Sequence, residues 1–306
     1  MKKQSQNGFT LVELLVVIGI IGMLSAALIV YVPEALEAGR AVKCKANLKN
    51  LAQAVSSHGI IRNNDAHLPT AGSFEWTSVD MSTATRGIWY HSSGAWVSWT
   101  PNGQWPYSSR DASMRSSMSA SIFFDKSRAD SNSKAFYSIT NGVLWSSAGK
   151  DANIYLCDTH KKVLERQTSG RVRRSYVMNR YFGYDDLNSG APYRRWVHVD
   201  SVAQSGTAAI RLLFAELPWQ LGKTIDTSAT QADSVLDPAN NEYLGFNHKN
   251  GKKWIAHVAF ADGHVDGLMQ PMVAGAKEPS PADMKDLAEH LCNGEEIDAA
   301  VRAKMQ

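Results

Sequence analysis

An uncharged apolar run over residues 14–32 begins almost at the N-terminus, and a lone carboxylate, Glu13, stands at its threshold. About 20 such residues cross a bilayer as a helix, so this segment has to be sheltered by lipid or by other apolar helices. Glu13 is the anomaly, because a carboxylate beside a membrane segment is costly to bury unless something pairs with it. Ahead of it lie a short basic leader carrying Lys2 and Lys3 and the junction Gly8-Phe9. Cleavage after Gly8 makes Phe9 the new N-terminus and sets a cationic amine four residues before Glu13. An ordinary secretory signal is cut after its apolar stretch. Here the junction precedes the stretch, so the helix stays with the mature chain.

The segment Gly8-Phe9-Thr10-Leu11-Val12-Glu13-Leu14 resembles the processing site of type IV prepilins and type II secretion pseudopilins. That resemblance implies cleavage between Gly8 and Phe9 by a membrane-embedded prepilin peptidase, N-methylation of Phe9, and recruitment into a filament through Glu13. The partners it implies are the peptidase, further pilin or pseudopilin subunits, the inner-membrane assembly machinery and the lipid bilayer. It also implies a single pass through the cytoplasmic membrane with the globular part outside the cytoplasm, and a filament or the cell surface after assembly. Charge pulls both ways here. Lys2 and Lys3 favour a cytoplasmic N-terminus, whereas Arg40, Lys43, Lys45 and Lys49 beyond the span favour the reverse. The processing site decides, since the peptidase needs the leader on the cytoplasmic side.

Helical spacing continues past the apolar run at Ala35, Leu36, Ala38, Ala41, Val42, Ala46, Leu48, Leu51, Ala52 and Val55. A helix over residues 9–57 runs roughly 70 Å. Residues 9–32 are transmembrane in character and 33–57 amphipathic, with a kink or local melting expected at Pro33. Gly19, Gly22, Ser25 and Ala26 are small enough to let helices approach closely in lipid.

Beyond residue 58 the texture shifts to Ser, Thr, Gly, Asn and Trp, which reads as short strands and long loops. Strand candidates lie at 87–90, 95–99, 135–145 and 152–157. The clearest β signal is at 245–267, where Asn250-Gly251 and Asp262-Gly263 form hairpin turns. They predict an antiparallel meander of strands at 244–248, 253–260 and 264–268. The C-terminal segment has helical spacing at Met284, Leu287, Leu291, Ile297 and Val301, broken at Asn293-Gly294. The expected fold is therefore α+β: a long N-terminal helix packed on an antiparallel sheet with irregular insertions. Its divisions are a leader at 1–8, the helix at 9–57, a β-rich globular domain at 58–275 and a helical segment at 276–306.

With 44% hydrophobic residues the chain can build a core, and its net charge of +3 comes with no basic stripe interleaved with aromatics. No nucleic-acid partner is expected, and Arg171, Arg173 and Arg174 read as a solvated face. Cys44, Cys157 and Cys292 show no metal-ligand spacing. Each reads as a buried thiol or as half of one bridge.

Several further segments are similar to one branch of prepilin-like proteins. They are Cys44-Lys45-Ala46-Asn47-Leu48-Lys49, Tyr155-Leu156-Cys157-Asp158 (with Asp158 for the branch's usual Pro), Ser175-Tyr176-Val177-Met178-Asn179 and Phe214-Ala215-Glu216. The hairpin Phe260-Ala261-Asp262-Gly263-His264-Val265 resembles the signature called the H-X9-DG domain, although His248 lies 14 positions before Asp262 where the name implies ten. The resemblance implies a filament subunit or pseudopilin, makes a Cys44–Cys157 disulfide an expectation for an exported domain, and implies no reaction. An enzyme reading needs His248, His257, His264, Asp262, Asp266 and Glu216 to converge; no catalytic residue is expected. No resident cofactor is expected, apart from a calcium candidate at Asp262 and Asp266 with nearby carbonyls, as some pseudopilins hold calcium near the C-terminus. Trp76, Trp89, Trp96, Trp99 and Trp105 serve either as core anchors or as a carbohydrate-binding surface. The latter is the competing function: a membrane-anchored cell-surface binder exported by the same route.

Overall fold

The computed structural model describes residues 10–61, 68–69, 96, 123–124, 139, 142–161, 171–172, 174–179, 181–182, 199–217, 235–236, 238, 243–251, 253–272 and 279–305. Its first element, α1 (Leu11–Ile61), is an unbroken helix of 51 residues, about 77 Å long at 1.5 Å per residue. Thr10 and Glu13 start it with a reciprocal capping box. The Glu13 carboxylate accepts from the Thr10 backbone amide and hydroxyl, each at 2.8 Å, while the Glu13 amide donates to the Thr10 hydroxyl at 3.3 Å. The helix runs through Pro33 without the expected melting. One proline withholds one amide from the ladder, and the neighbouring turns keep theirs.

The two halves of α1 have opposite fates. From Leu11 to Val32 the large apolar side chains that are described stand 43–78% exposed. In the second half Cys44, Asn47, Leu48, Leu51, Ala52, Ala54 and Val55 are buried, while Leu36 and Val42 are exposed. Leu48, Leu51, Ala52 and Val55 follow the face that hydropathy picked out, while Leu36 and Val42 depart from it. Polar Asn47 and the Cys44 thiol belong to the buried face, which an apolar-only count passes over.

Six strands make the main sheet: β3 (Tyr176–Asn179), β4 (Leu212–Glu216), β5 (Val235–Leu236), β6 (His248–Asn250), β7 (Lys253–Phe260) and β8 (Val265–Met269). A separate pair, β1 (Phe123–Phe124) and β2 (Arg171–Val172), is antiparallel. Neighbours β3–β4, β4–β7, β6–β7 and β7–β8 are all antiparallel; only the short β5 runs parallel, along β3. β8 covers one edge of β7 from Ile255 to Ala259. The other edge is therefore shared, with β6 along residues 253–255 and β4 along 258–260. The expected meander is present, with left-handed glycines at both turns, Gly251 at φ 60° and Gly263 at φ 85°. Its first strand, at 248–250, shares only His248 with the expected 244–248, and residues 244–247 are buried without being assigned to a strand.

α1 lies across β7, β6, β4 and β8, and α3 (Pro281–Asn293) packs on β4, all five of whose residues are buried. Two further helices are α2 (Val199–Gln204) and α4 (Ala299–Lys304). Gly294 closes α3 at φ 69°, as the Asn293-Gly294 break predicts, and Met284, Leu287, Leu291 and Val301 are core. Two strand expectations fail. Residues 152–155 form a 3₁₀ turn capped by Asp151, whose side chain accepts from the Asn153 amide; of the candidate at 135–145, residues 142–145 belong to a series of turns, and 135–141, apart from 139, lie outside the described residues. Local capping at Asp151 outweighs the β-branched and aromatic content there. Arg174 is buried rather than solvated, at 2% exposure. Candidates at 87–90 and 95–99 lie outside the described residues apart from Trp96. That residue is core, stacked on Tyr155 and edge-on to Phe214; the other four tryptophans of the proposed surface also fall outside.

Gly245 shows how tightly the sheet end closes. Its amide donates to the Glu216 carbonyl at 2.8 Å, and a Cβ there would sit 2.1 Å from the Leu217 carbonyl oxygen and 2.7 Å from Asn247 Nδ2. Backbone cannot give way as a side-chain tip can, so Gly245→Ala is expected to cost roughly 2–3 kcal/mol. A urea titration followed by tryptophan fluorescence reads the shift, and an unmoved midpoint would mean that this segment is free to slide.

Candidate functional site

Among the described residues, two regions carry chemistry. The first is the N-terminal end of α1. Gly8 and Phe9 lie outside the described residues; Glu13 lies within them and is held by Thr10. Sequence reasoning offered the Phe9 amine as its partner and overlooked the T-x-x-E capping box, which was legible in the sequence. One helix among the described residues, Leu11–His58, is long and apolar enough to cross a membrane by length and composition.

The second region is a polar knot in the interior where α1 meets the sheet. Cys44 reaches it from α1, Cys157 from the turn after the 3₁₀ segment, Glu216 from the end of β4 and His248 from the start of β6. Each is at most 1% exposed. One ligand atom from each of these four side chains lies within 4.8 Å of every other. Glu216 Oε1 is the centre: the Cys44 thiol donates to it, and His248 Nε2 and His257 Nδ1 lie 3.1 and 3.0 Å away. Cys157 Sγ is 3.4 Å from His248 Nε2, and the Tyr176 hydroxyl is 3.1 Å from Cys44 Sγ. Asn247 Nδ2 donates to Glu216 Oε2 at 3.3 Å. The far side of the His248 ring, Nδ1, meets Glu37 Oε1 at 3.0 Å, and Arg40 and Thr159 hold Glu37 in turn.

Electrostatics sort these groups by charge. Burial alone would raise Glu216, but hydrogen bonds from His248 and His257 bring it down to about 2. Burial alone would lower His248, yet contacts with Cys157, Glu216 and Glu37 carry it up to about 12. Contact with the Cys44 thiol, opposed by burial and helped by His248, lowers Cys157 to about 6. Burial, the Cys157 sulfur and the Glu216 charge raise Cys44. The knot thus favours an anionic carboxylate and a thiolate facing an imidazolium.

Of the residues an enzyme would need together, Glu216, His248 and His257 meet here. Asp262 and His264 instead pair with each other at 2.6 Å on the β7–β8 turn, and Asp266 accepts from the Gly267 amide at 2.7 Å. Cys157, His248 and Glu37 follow the order of a nucleophile, its base and the group that orients it. The Cys157 sulfur is buried, however, at 1% exposure. Cys44 and Cys157 approach one another without a bond between their sulfurs, so the expected disulfide is not formed in this structure. The sequence reading paired Cys44 with Cys157 and grouped Glu216 with His248, but it did not join the two sets, because no local spacing links the cysteines to the carboxylate and the imidazole.

Comparison with known proteins places one segment. The family model described as the prokaryotic N-terminal methylation motif matches residues 3–29. No curated protein and no solved structure matches the chain.

Proposed function

We propose that this protein is a structural subunit of a type IV pilus or type II secretion pseudopilus, assembled through α1. The methylation motif fits a prepilin-type protein, cut by a prepilin peptidase and associating with other pilin-like subunits. The observation that carries the filament reading is the contrast along α1. Its second half is packed on the globular head, while the side chains from Leu11 to Val32 touch nothing that buries them. A membrane shelters such a surface before assembly, and the same surface of neighbouring subunits can shelter it afterwards. The subunit is placed in the inner membrane with its head outside the cytoplasm. Three of the four conflicting cations are engaged: Arg40 with Glu37 on α1, and Lys43 with Asp158 and Lys49 with the Gly263 carbonyl on the head. Charges that belong to a folded domain count little in setting orientation.

The same reading extends to the branch with the H-X9-DG signature. Its scattered elements form one connected set here. Cys44, Cys157, Glu216 and His248 share the knot, and Asn47 Nδ2 reaches the Leu156 carbonyl and Tyr176 hydroxyl. Ser175 Oγ accepts from the Cys157 amide, and Lys49 ties α1 to the Asp262-Gly263 turn.

Protein extracted from membranes is expected to begin at Phe9 with a methylated amine, by intact mass and N-terminal sequencing. Immunogold label on the head is expected along filaments. A start near residue 30 would show an ordinary secretory signal, and label confined to the membrane would leave an anchor without a filament.

A further inference from the structure

The polar knot has the donors, the enclosure and the outer contacts of a metal centre. Two sulfurs, one imidazole nitrogen and one carboxylate oxygen make a borderline-soft set, which suits zinc and does not suit calcium or magnesium. A tetrahedral zinc with such ligands spaces its donor atoms about 3.3–3.8 Å apart. Here all four lie within 4.8 Å, with His248 Nε2 at 3.4 Å from Cys157 Sγ and 3.1 Å from Glu216 Oε1. Small rotamer adjustments bring them onto one ion.

The surroundings agree. A ligating histidine almost always gives its other ring nitrogen to a carboxylate or carbonyl, and His248 Nδ1 faces Glu37 at 3.0 Å. The candidate carboxylate ligand is itself supported by His257 and Asn247, and Cys44 by the Tyr176 hydroxyl. With all four donors buried, no coordination position opens to solvent, as in structural rather than catalytic zinc sites.

We propose that Cys44, Cys157, Glu216 and His248 bind one zinc ion, a structural centre that fastens the N-terminal helix to the globular head. Binding displaces the Cys44 thiol proton and any proton still on Cys157 or on His248 Nε2, which leave to solvent as the metal–ligand bonds form. Cys44 is the ligand from α1, and the other three come from three separate segments of the head. The ion therefore locks the angle at which the head is carried on its helix. This inference does not depend on the filament reading.

The full chain, purified in detergent without a histidine tag from zinc-replete cells, is expected to carry roughly one zinc per chain by elemental mass spectrometry. Replacement by cobalt should give a thiolate-to-cobalt charge-transfer band and the visible bands of tetrahedral geometry. Cys157→Ser should lower zinc content about tenfold or more, and Glu37→Gln should weaken affinity by about 10–100-fold. Cys292→Ser, which alters a buried thiol outside the knot, should leave zinc content unchanged. If Cys157→Ser does not fold, zinc content and the cobalt spectrum of the unaltered protein still decide. Folded protein with less than about a tenth of an equivalent of zinc, or a Cys44–Cys157 disulfide in non-reducing peptide maps, would overturn the proposal.

Discussion

Glu216→Ala is expected to lower the stability of the head by about 3–5 kcal/mol, the scale for deleting one partner of a buried ionic pair. The reason lies in what remains. Cys44, His248, His257 and Asn247 all direct polar atoms at this carboxylate, and Glu216 is wholly buried. Removing it leaves those donors in a space that water reaches poorly, with His248 still facing Glu37. Glu216→Gln keeps the volume and one acceptor oxygen, so it should cost less than alanine. Denaturant midpoints for the two variants measure the difference, with far-ultraviolet circular dichroism as the check on folding. Equal and small shifts would mean that the pocket collapses or hydrates freely, contrary to its burial.

The parts of this fold that could be read in advance are those with local causes. Gly251 and Gly263 take positive φ and the chain turns at both, although Asn250 pairs with Lys253 as the last residue of its strand and the second turn lies between Ala259 and Val265 rather than in two residues. Gly294, also at positive φ, stops α3. The apolar run of α1 declares itself by composition. What could not be read depends on tertiary partners. Cys44 and Glu216 meet across 172 residues of chain and Cys157 and His248 across 91, so spacing carries no trace of the knot. His248 stands 14 positions before Asp262 where the signature it resembles implies ten, and it lies in the buried knot rather than beside Asp262. The packing face of α1 was misjudged at Leu36 and Val42 for a related reason: the head chooses that face through the Cys44 and Asn47 contacts. Periodicity records apolar side chains and is silent about polar ones that become buried by finding each other.

At the other end of α1, Glu13→Ala and Glu13→Gln are expected to separate two roles of one carboxylate. As the subunit leaves lipid for a filament, an unpaired carboxylate is costly, and the amine created at Phe9 is the cation the sequence supplies. The attraction between them strengthens in a low-dielectric setting. The structure adds a competing role, because Thr10 and Glu13 already cap the helix through reciprocal hydrogen bonds. Glutamine preserves a capping box but carries no charge; alanine removes both. Neither change touches the head, whose contacts with α1 begin around Glu37 and Cys44. If charge pairing drives assembly, both variants should be cleaved, inserted and folded, and both should be lost from filaments. Sheared-filament fractions, compared with whole membranes by quantitative blotting, give the ratio, expected to fall about tenfold or more for either variant, the equivalent of roughly 1.4 kcal/mol of lost pairing. Incorporation by Glu13→Gln but not Glu13→Ala would assign the residue to capping instead. Normal incorporation of both would remove Glu13 from assembly, and failure of cleavage would place it in recognition by the peptidase.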